Sequence, residues 1–323
     1  MIQFKEVWKS FSKKVHALKN LNLEVKEGET LVLLGKSGSG KTTALKLINR
    51  LLDPSSGTIS VYGKDILTLD PITLRRSIGY AVQEIGLFPH MTVEENISIV
   101  PRLLGWEEKK IQDRVDQLMD MMGLDPAHFL KRYPLKLSGG QRQRIGVARA
   151  IAADPPIILM DEPFGALDPI TREQTQKEFL ELESKIKKTI VFVTHDLVEA
   201  VTMGDRIALM DSGELVQVSS PSLFVENPPS AFADQFLGRH RFQLSLLTKT
   251  IHECIEPSIE RPITNYTKLT PRSTLIEALE SFRETKTKNL PIFSGSSYRG
   301  EIKKEKLLDH ILELLMKQPK APL

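Results

Sequence analysis

The sequence predicts an α/β fold with a largely parallel sheet and an antiparallel β portion beside it, and three observations carry that prediction. Short apolar runs rich in β-branched residues, TLVLLG (30–35), PIILM (156–160) and TIVFVT (189–194), alternate with helical patterns such as KTTALKLINRLL (41–52) and TREQTQKEFLELESKI (171–186). The opening stretch, residues 1–25, instead shows short, partly alternating strands around Lys13 and Lys14, which is an antiparallel pattern. Residues 92–123 read as a helical insert. There TVEENI offers Thr92 as a cap with Glu95 three residues on, and EEKKIQDRVDQLMDMMGL repeats its apolar residues at helical spacing. Met119, Met121 and Met122 in that run are expected to fill apolar gaps rather than to ligate anything.

Composition narrows the class. The chain has 323 residues, 44 Lys plus Arg against 41 Asp plus Glu, 41% hydrophobic residues and one cysteine, which excludes a disulfide scaffold and a disordered polyelectrolyte. No apolar run approaches the ~18 residues of a membrane span. The start, MIQFKEVWKS, has charges where a signal peptide needs its apolar stretch, so a cytosolic chain is expected. Cys254 receives no role. At about 150 residues per domain the length suits two domains. The density of motifs collapses after NPPSAFADQFLGRH, which sets the expected boundary at 1–238 and 239–323. From 239 to 323 there are 15 basic and 10 acidic side chains, leaving 29 against 31 in residues 1–238. The tail is the basic part, read either as a solvated surface or as a weak attraction to anionic lipid.

The chemistry concentrates in three places. Gly35-Lys36-Ser37-Gly38-Ser39-Gly40-Lys41-Thr42 fits G-x-x-x-x-G-K-[ST] between an apolar strand and a helix, with Thr43 next in that helix. Glycines let the backbone turn tightly and aim several N–H groups into one concavity, to which the helix adds the positive end of its dipole. Lys41 would set its ammonium against the β and γ phosphates of a nucleotide, and the Thr42 hydroxyl would be a Mg²⁺ ligand. The strand ending at Met160 delivers Asp161 and Glu162 at its carboxyl end, where open parallel sheets bind ligands. Asp161 would hold the magnesium and Glu162 would polarise the attacking water. A third strand ends at His195, placed to donate a hydrogen bond to the γ-phosphate.

The segment LSGGQRQRIGVARA (137–150), together with the phosphate loop and ILMDEP, resembles the nucleotide-binding subunit of ATP-binding-cassette (ABC) transporters. Physically, Ser138-Gly139-Gly140-Gln141 opens a helix with a hydroxyl cap and two glycines, a second anion-binding N-terminus in one chain. The resemblance implies that two cassettes pair head to tail, each ATP lying between one subunit's phosphate loop and the other's signature helix. It implies a P-loop α/β core with a mixed sheet, an antiparallel β subdomain and a helical signature subdomain. It also makes Gln83 the Q-loop glutamine near Mg²⁺, Ala166-Leu167-Asp168 the D-loop with Asp168 at the nucleotide, and His195 the switch histidine. Phe11 falls where the family sets an aromatic ring against adenine, and Trp8 is the alternative.

Runs such as INRLLDPSSGTI (48–59), LRRSIGYAVQEIGLFPHMTVEENI (74–97) and TIVFVTHDLVEA (189–200) resemble the subfamily that imports glycine betaine, carnitine, choline and proline. That implies an ATPase peripheral on the cytoplasmic face of the membrane, coupled through the segment around Gln83 to integral permease subunits and indirectly to a substrate-binding protein. Motors for amino acids or polyamines are the alternative within transport. A cassette acting on nucleic acid is disfavoured, because residues 1–238 have no basic excess and the chain has neither a second cassette nor a long coiled coil. In the tail, 261–311 resembles a single small α+β cystathionine-β-synthase (CBS) module, about 255–315. Its closing motif reads Gly300-Glu301-Ile302-Lys303-Lys304-Glu305-Lys306, so Lys303, Lys304 and Lys306 are expected to join a cationic face.

Overall fold

A computed structural model of the chain describes residues 1–12, 14–82, 86–165, 167–228, 230–257, 269–295 and 297–316, the side chain of Lys185 excepted. The chain forms two compact units, Met1–Asp196 with Met203–Val218, and Leu197–Thr202 with Ser219–Leu323.

The first unit opens with β1 (Ile2–Ser12) and β2 (Val15–Val25), then β3 (Thr30–Leu34), α1 (Lys41–Ile48), β4 (Ser56–Val61), β5 (Lys64–Asp65), α2 (Pro71–Arg76) and β6 (Ile78–Ala81). The helical insert follows as α3 (Val93–Leu103), α4 (Glu108–Met121) and α5 (Pro126–Phe129), and α6 (Gly139–Ile151) leads back to the sheet. Then come β7 (Ile157–Asp161), α7 (Pro169–Ile186), β8 (Thr189–Thr194), β9 (Arg206–Asp211) and β10 (Glu214–Ser219), while α8 (Leu197–Met203), between β8 and β9, is counted up to Thr202 with the second unit.

β1 and β2 pair antiparallel, as the alternation in residues 1–25 predicts, within a four-stranded sheet of order β2-β1-β4-β5. The second sheet has the order β10-β9-β3-β8-β7-β6, and within it β3 runs parallel to β8 and β9 while β7 runs parallel to β8 and β6. Every residue of β3, β7 and β8 is buried, which is why these strands read as continuous apolar runs and not as alternations. Ala44, Leu45, Leu47 and Ile48 of α1 share one apolar cluster with Ile2, Phe4 and Val7 of β1 and with Leu31 and Leu33 of β3. The helix behind the phosphate loop is thus clamped between the two sheets. The opposite face of the parallel sheet carries Phe192, whose ring lies 5.8 Å from Phe164 and 6.4 Å from Phe179 of α7.

The insert starts at the expected capping box: the Thr92 hydroxyl accepts from the Glu95 N–H at 3.3 Å, and the Glu95 carboxylate accepts from the Thr92 N–H at 2.7 Å. One turn on, fully buried Asn96 ties down the preceding loop. Its Oδ1 accepts from the Phe88 N–H at 2.8 Å and its amide donates to the carbonyls of Phe88, Met91 and Thr92. Met119 and Met122 are buried in the packing, with Met121 half-buried beside them.

The second unit holds α9 (Pro221–Glu226), α10 (Ala231–Leu237), α11 (Arg241–Thr248), β11 (Ile255–Glu256), α12 (Leu275–Thr285), β12 (Asn289–Ser294), β13 (Ser297–Lys303) and α13 (Lys304–Met316). Its antiparallel sheet of order β11-β13-β12 and its helices α12 and α13 close over Leu275, Phe282, Leu290, Ile292, Ile302 and Leu307. Cys254 is buried in the same core, and burial pushes its thiol pKa up.

Within the second unit Arg241 reaches back to the carbonyls of Val225 and Glu226 at 2.9 and 2.8 Å and to the Asp234 carboxylate at 3.0 Å. One feature differs from the sequence reading. The lysines of 303–306 do not all form an unpaired cationic face: Lys303 and Lys306 lie 2.7 and 3.4 Å from the Glu256 carboxylate. Among the described residues, no helix is long and apolar enough to cross a membrane.

Replacing buried Asn96 by alanine strips the preceding loop, residues 88–92, of its side-chain partners. The expected loss is about 3 kcal/mol, read as a lower melting temperature and as faster proteolytic nicking between residues 86 and 92.

Candidate functional site

Strand register brings the site together. Leu34 at the end of β3 pairs with Thr194 at the end of β8, and Asp161 at the end of β7 pairs with Val193. The phosphate loop, the two acids and His195 therefore leave the sheet at the same edge, the carboxyl edge where α/β sheets bind ligands.

The loop is shaped by contacts that only glycine tolerates. A Cβ on Gly35 would run into the carbonyl oxygen of Met210, and one on Gly40 would lie 2.5 Å from the Ala17 carbonyl oxygen, with φ at +101° besides. Gly40 is also the N-cap of α1 and offers no side-chain bond, so no cap side chain competes for the first-turn amides. Lys36, Ser37 and Gly38 are exposed, Ser39 is buried with its hydroxyl lacking a partner, and Thr43 is half-buried in the first turn. Lys41 is buried, its ammonium folded onto the loop and donating to the carbonyls of Gly35 and Lys36 at 2.8 and 2.9 Å. Burial lowers its pKa, opposed by the charges of Glu162 and Asp161.

The acids occupy different surroundings. Asp161 is buried and accepts a hydrogen bond from the Thr42 hydroxyl at 2.8 Å. Burial raises its pKa; the Thr42 bond and the positive charges of Lys46 and Lys41 act against this. A Thr hydroxyl and a carboxylate side by side are hard oxygen donors of the kind Mg²⁺ prefers, so these residues fit that ion. Glu162 is more open, its side chain 20% exposed, and lies 3.2 Å from Nδ1 of His195, which is 62% exposed. Its backbone is left-handed at φ +44°, held by a hydrogen bond from its N–H to the Val193 carbonyl at 3.0 Å.

The remaining candidates sit as follows. Ser138 and Gln141 close a capping box at the start of α6: the Ser138 hydroxyl accepts from the Gln141 N–H at 3.3 Å, and Gln141 Oε1 accepts from the Ser138 N–H at 2.9 Å. Gly139 and Gly140 form the first turn behind it. Asp168 caps α7, accepting from the Thr171 N–H at 3.1 Å, and bonds from Thr171 hold its carboxyl below the usual range. Phe11 is 59% exposed, with the Lys9 ammonium 5.4 Å from its ring centroid, and Trp8 meets the His16 ring edge-on. Gln83 lies outside the described residues.

The sequence reading passed over Tyr80. It sits on β6 opposite Leu159, and burial, reinforced by the negative charge of Asp161, raises its phenol pKa. Its place two residues before Val82 in the YAVQ run is the one signal that pointed to it.

The family profile for ABC transporter matches residues 18–165. The chain is 46% identical over 294 residues to the glycine betaine/carnitine/choline transport ATP-binding protein OpuCA of Bacillus subtilis, covering 90% of this chain and 74% of that one. This chain belongs to the ABC transporter family. It is also 52% identical over 251 residues to the osmoprotectant import ATP-binding protein OsmV of Salmonella typhimurium, covering 76% of this chain and 66% of the relative. The matches thus span about two thirds to three quarters of these ABC relatives' own length. Among solved structures, a dimeric ATP-binding cassette in a post-hydrolysis state, bound to ADP and phosphate, is 35% identical with a TM-score of 0.61, over 68% of this chain and 98% of that one. A Clostridium perfringens protein described as part of an ABC transporter complex is 28% identical with a TM-score of 0.64, over 75% of this chain and 98% of that one. The ABC cassette fold and the capacity to bind ATP follow.

A raised carboxyl pKa means that the folded state resists the charged form. Asp161 therefore subtracts stability as pH rises above the ordinary carboxylate range, and Asp161→Asn should melt higher than the parent at pH 8. The gap should narrow as pH falls and close below about pH 3, where the carboxyl is protonated in the unfolded as well as the folded state; thermal melts without nucleotide across that range test it.

Proposed function

We propose that this chain is the ATP-hydrolysing motor of an importer for quaternary-amine osmoprotectants, acting as one of two cassettes beneath a membrane permease. The observation that carries the catalytic part is the convergence of loop 35–42, Asp161, Glu162 and His195 on one sheet edge, with Thr42 bonded to Asp161 and His195 beside Glu162. The solute class rests on the likeness to the osmoprotectant relatives, since the motor itself does not touch the solute.

In this reading the amides of residues 35–40 and the Lys41 ammonium grip the β and γ phosphates. Lys41 exchanges its loop carbonyl partners for phosphate oxygens, and the desolvation of its charge is offset by the ligand. Thr42, Asp161 and Gln83 would hold Mg²⁺, which when bound neutralises charge on the phosphate oxygens. Glu162 takes up the proton of the attacking water. His195, 3.2 Å from that carboxylate, orients it and donates to the γ-phosphate. Phe11 or Trp8 stacks on adenine. Ser138, Gly139, Gly140, Gln141 and Asp168 serve the nucleotide of a second copy, so binding closes the pair and hydrolysis reopens it.

The permease contact is assigned to the face around Gln83. A groove of about 400 Å³ lined by Val82, Gly86, Phe88, Ile99, Leu103 and Arg149 supports this. The cytoplasmic side of the membrane, a substrate-binding protein as indirect partner and the absence of nucleic-acid binding belong to the same reading. So does the division into a cassette at 1–238 and a regulatory region at 239–323 with one CBS-like module.

Two measurements test it. Glu162→Gln should retain ATP and dimerise while turnover falls at least ~100-fold, whereas Lys41→Ala should weaken ATP binding itself about tenfold or more. Normal turnover in Glu162→Gln overturns the catalytic assignment. For the solute, the purified transporter reconstituted with its binding protein should hydrolyse ATP faster with glycine betaine, choline or carnitine than with amino acids or polyamines.

A further inference from the structure

Three backbone segments meet at one glycine behind the phosphate loop. Ser212 and Gly213 form the two-residue turn between the neighbouring strands β9 and β10, and both stand at positive φ, +50° and +87°, as a tight hairpin turn demands. From that turn the Gly213 N–H donates to the Ser39 carbonyl of the phosphate loop at 3.2 Å, and the Gly213 carbonyl accepts from the Lys19 N–H of β2 at 2.8 Å. The Lys19 ammonium lies 3.5 Å from the carboxylate of Glu214, the next residue. Space is as tight as the bonding. A Cβ on Gly213 would lie 3.0 Å from the Ala17 carbonyl oxygen, and a Cβ on Gly40 would lie 2.5 Å from that same oxygen and 3.6 Å from Gly213 Cα. Loop, turn and strand thus touch backbone to backbone. The anchored stretch of β2 is the one that faces the aromatic part of β1: Leu18 pairs with Lys9, His16 with Ser10 and Val15 with Ser12, between and beside which lie Trp8 and Phe11.

We infer that Gly213 is a positioning residue that fixes the span between the base stacked on the β1–β2 hairpin and the phosphates gripped by residues 35–42. This role rests on the adenine and phosphate assignments above and goes beyond them by naming the contact that makes two subsites recognise one molecule. A base joined to a triphosphate gains from both subsites only if hairpin and loop already stand at the right spacing, since adjusting them on binding would subtract from the affinity. The hydrogen bonds on either side of Gly213 set that spacing. A side chain there would wedge β2 away from the loop, because the Ala17 carbonyl would have to give way. Gly213 itself touches no nucleotide in this scheme.

Two variants separate backbone strain from the wedge. Gly213→Ala adds a Cβ to a residue that resists positive φ, whereas Gly213→Asn adds the same Cβ to one that tolerates it, so the second keeps the test open where the first fails to fold. Each is made in the full chain with Glu162→Gln, so that ATP is held and not consumed. Calorimetric titrations at concentrations where the chain is monomeric give the affinities for Mg-ATP and for magnesium tripolyphosphate, which offers the phosphates without the base. The preference for ATP over tripolyphosphate should fall about fivefold in both variants, and adding Phe11→Ala or Trp8→Ala should then cost less than the same change costs the parent. A glycine that only stabilised the turn would lower the melting temperature and leave that preference at the parent's value. A preference within about twofold of the parent in Gly213→Asn, or an undiminished cost of the aromatic substitutions there, overturns the role. A Glu162→Gln parent whose preference survives both Phe11→Ala and Trp8→Ala overturns the adenine assignment beneath it, and that failure is read without any Gly213 variant.

Discussion

The register of three buried parallel strands is the constraint on which the catalytic edge depends. Along β3, β7 and β8 the side chains alternate between two apolar faces. Leu31, Leu33, Ile157, Leu159, Val191 and Val193 pack with α1 and the antiparallel sheet, while Phe192 turns the other way onto Phe164 and Phe179. Sliding any one strand by a residue would exchange its faces, driving Phe192 toward α1 and withdrawing valines from it. Packing therefore locks register to the residue, and register sets which groups emerge at the carboxyl edge. Glu162 shows how tightly: its N–H is pinned to the Val193 carbonyl, and the chain accepts a left-handed non-glycine conformation immediately after the strand to turn that carboxylate toward His195.

The second theme is stored electrostatic demand. A lysine and an aspartate are both buried at the mouth of the loop, and for both burial opposes the charged form. Each has a partial remedy within the chain, loop carbonyls for Lys41 and the Thr42 hydroxyl for Asp161. A carbonyl answers an ammonium less well than a phosphate does, and a hydroxyl answers a carboxylate less well than a divalent cation does. In the proposed function a magnesium nucleotide would satisfy both groups at once without moving the sheet.

Legibility in the sequence followed range. The phosphate loop, the paired acids, the strand runs and the Thr92 and Ser138 caps were readable, because each depends on neighbours within a few positions whose chemistry admits one local structure. Relations across long separations were not. Nothing in the string tells that Met210 closes over Gly35, that Ala17 crowds Gly40, or that Thr171 presses on Gly140, since each is a contact set by packing of distant segments. The tail illustrates the limit most clearly. Lys303 and Lys306 look like free positive charge until β13 is laid beside β11, which puts Glu256 between them. Nor does the string tell that Arg241, just past the expected boundary at 238, ties its guanidinium to the carbonyls at the end of α9.

Two helix N-termini in this cassette are finished differently, and the difference matches the two tasks proposed for them. α1 begins at a glycine in the left-handed region without any side-chain cap, so its amides and those of the loop stay available to wrap a polyphosphate from several directions. α6 begins with a closed reciprocal box between Ser138 and Gln141, which fixes the first turn before any ligand arrives and leaves Gly139 and Gly140 outside the box. An N-terminus that must envelop its ligand gains from an open cap, because a capping side chain would compete for the donors. One that must be offered to a neighbouring subunit gains from being rigid beforehand, since ordering it during association would subtract from the affinity. The packing of Gly139 on Leu167 and Gly140 on Thr171 extends that rigidity to the following helix, so the presented surface is a pair of helix starts and not a single loop.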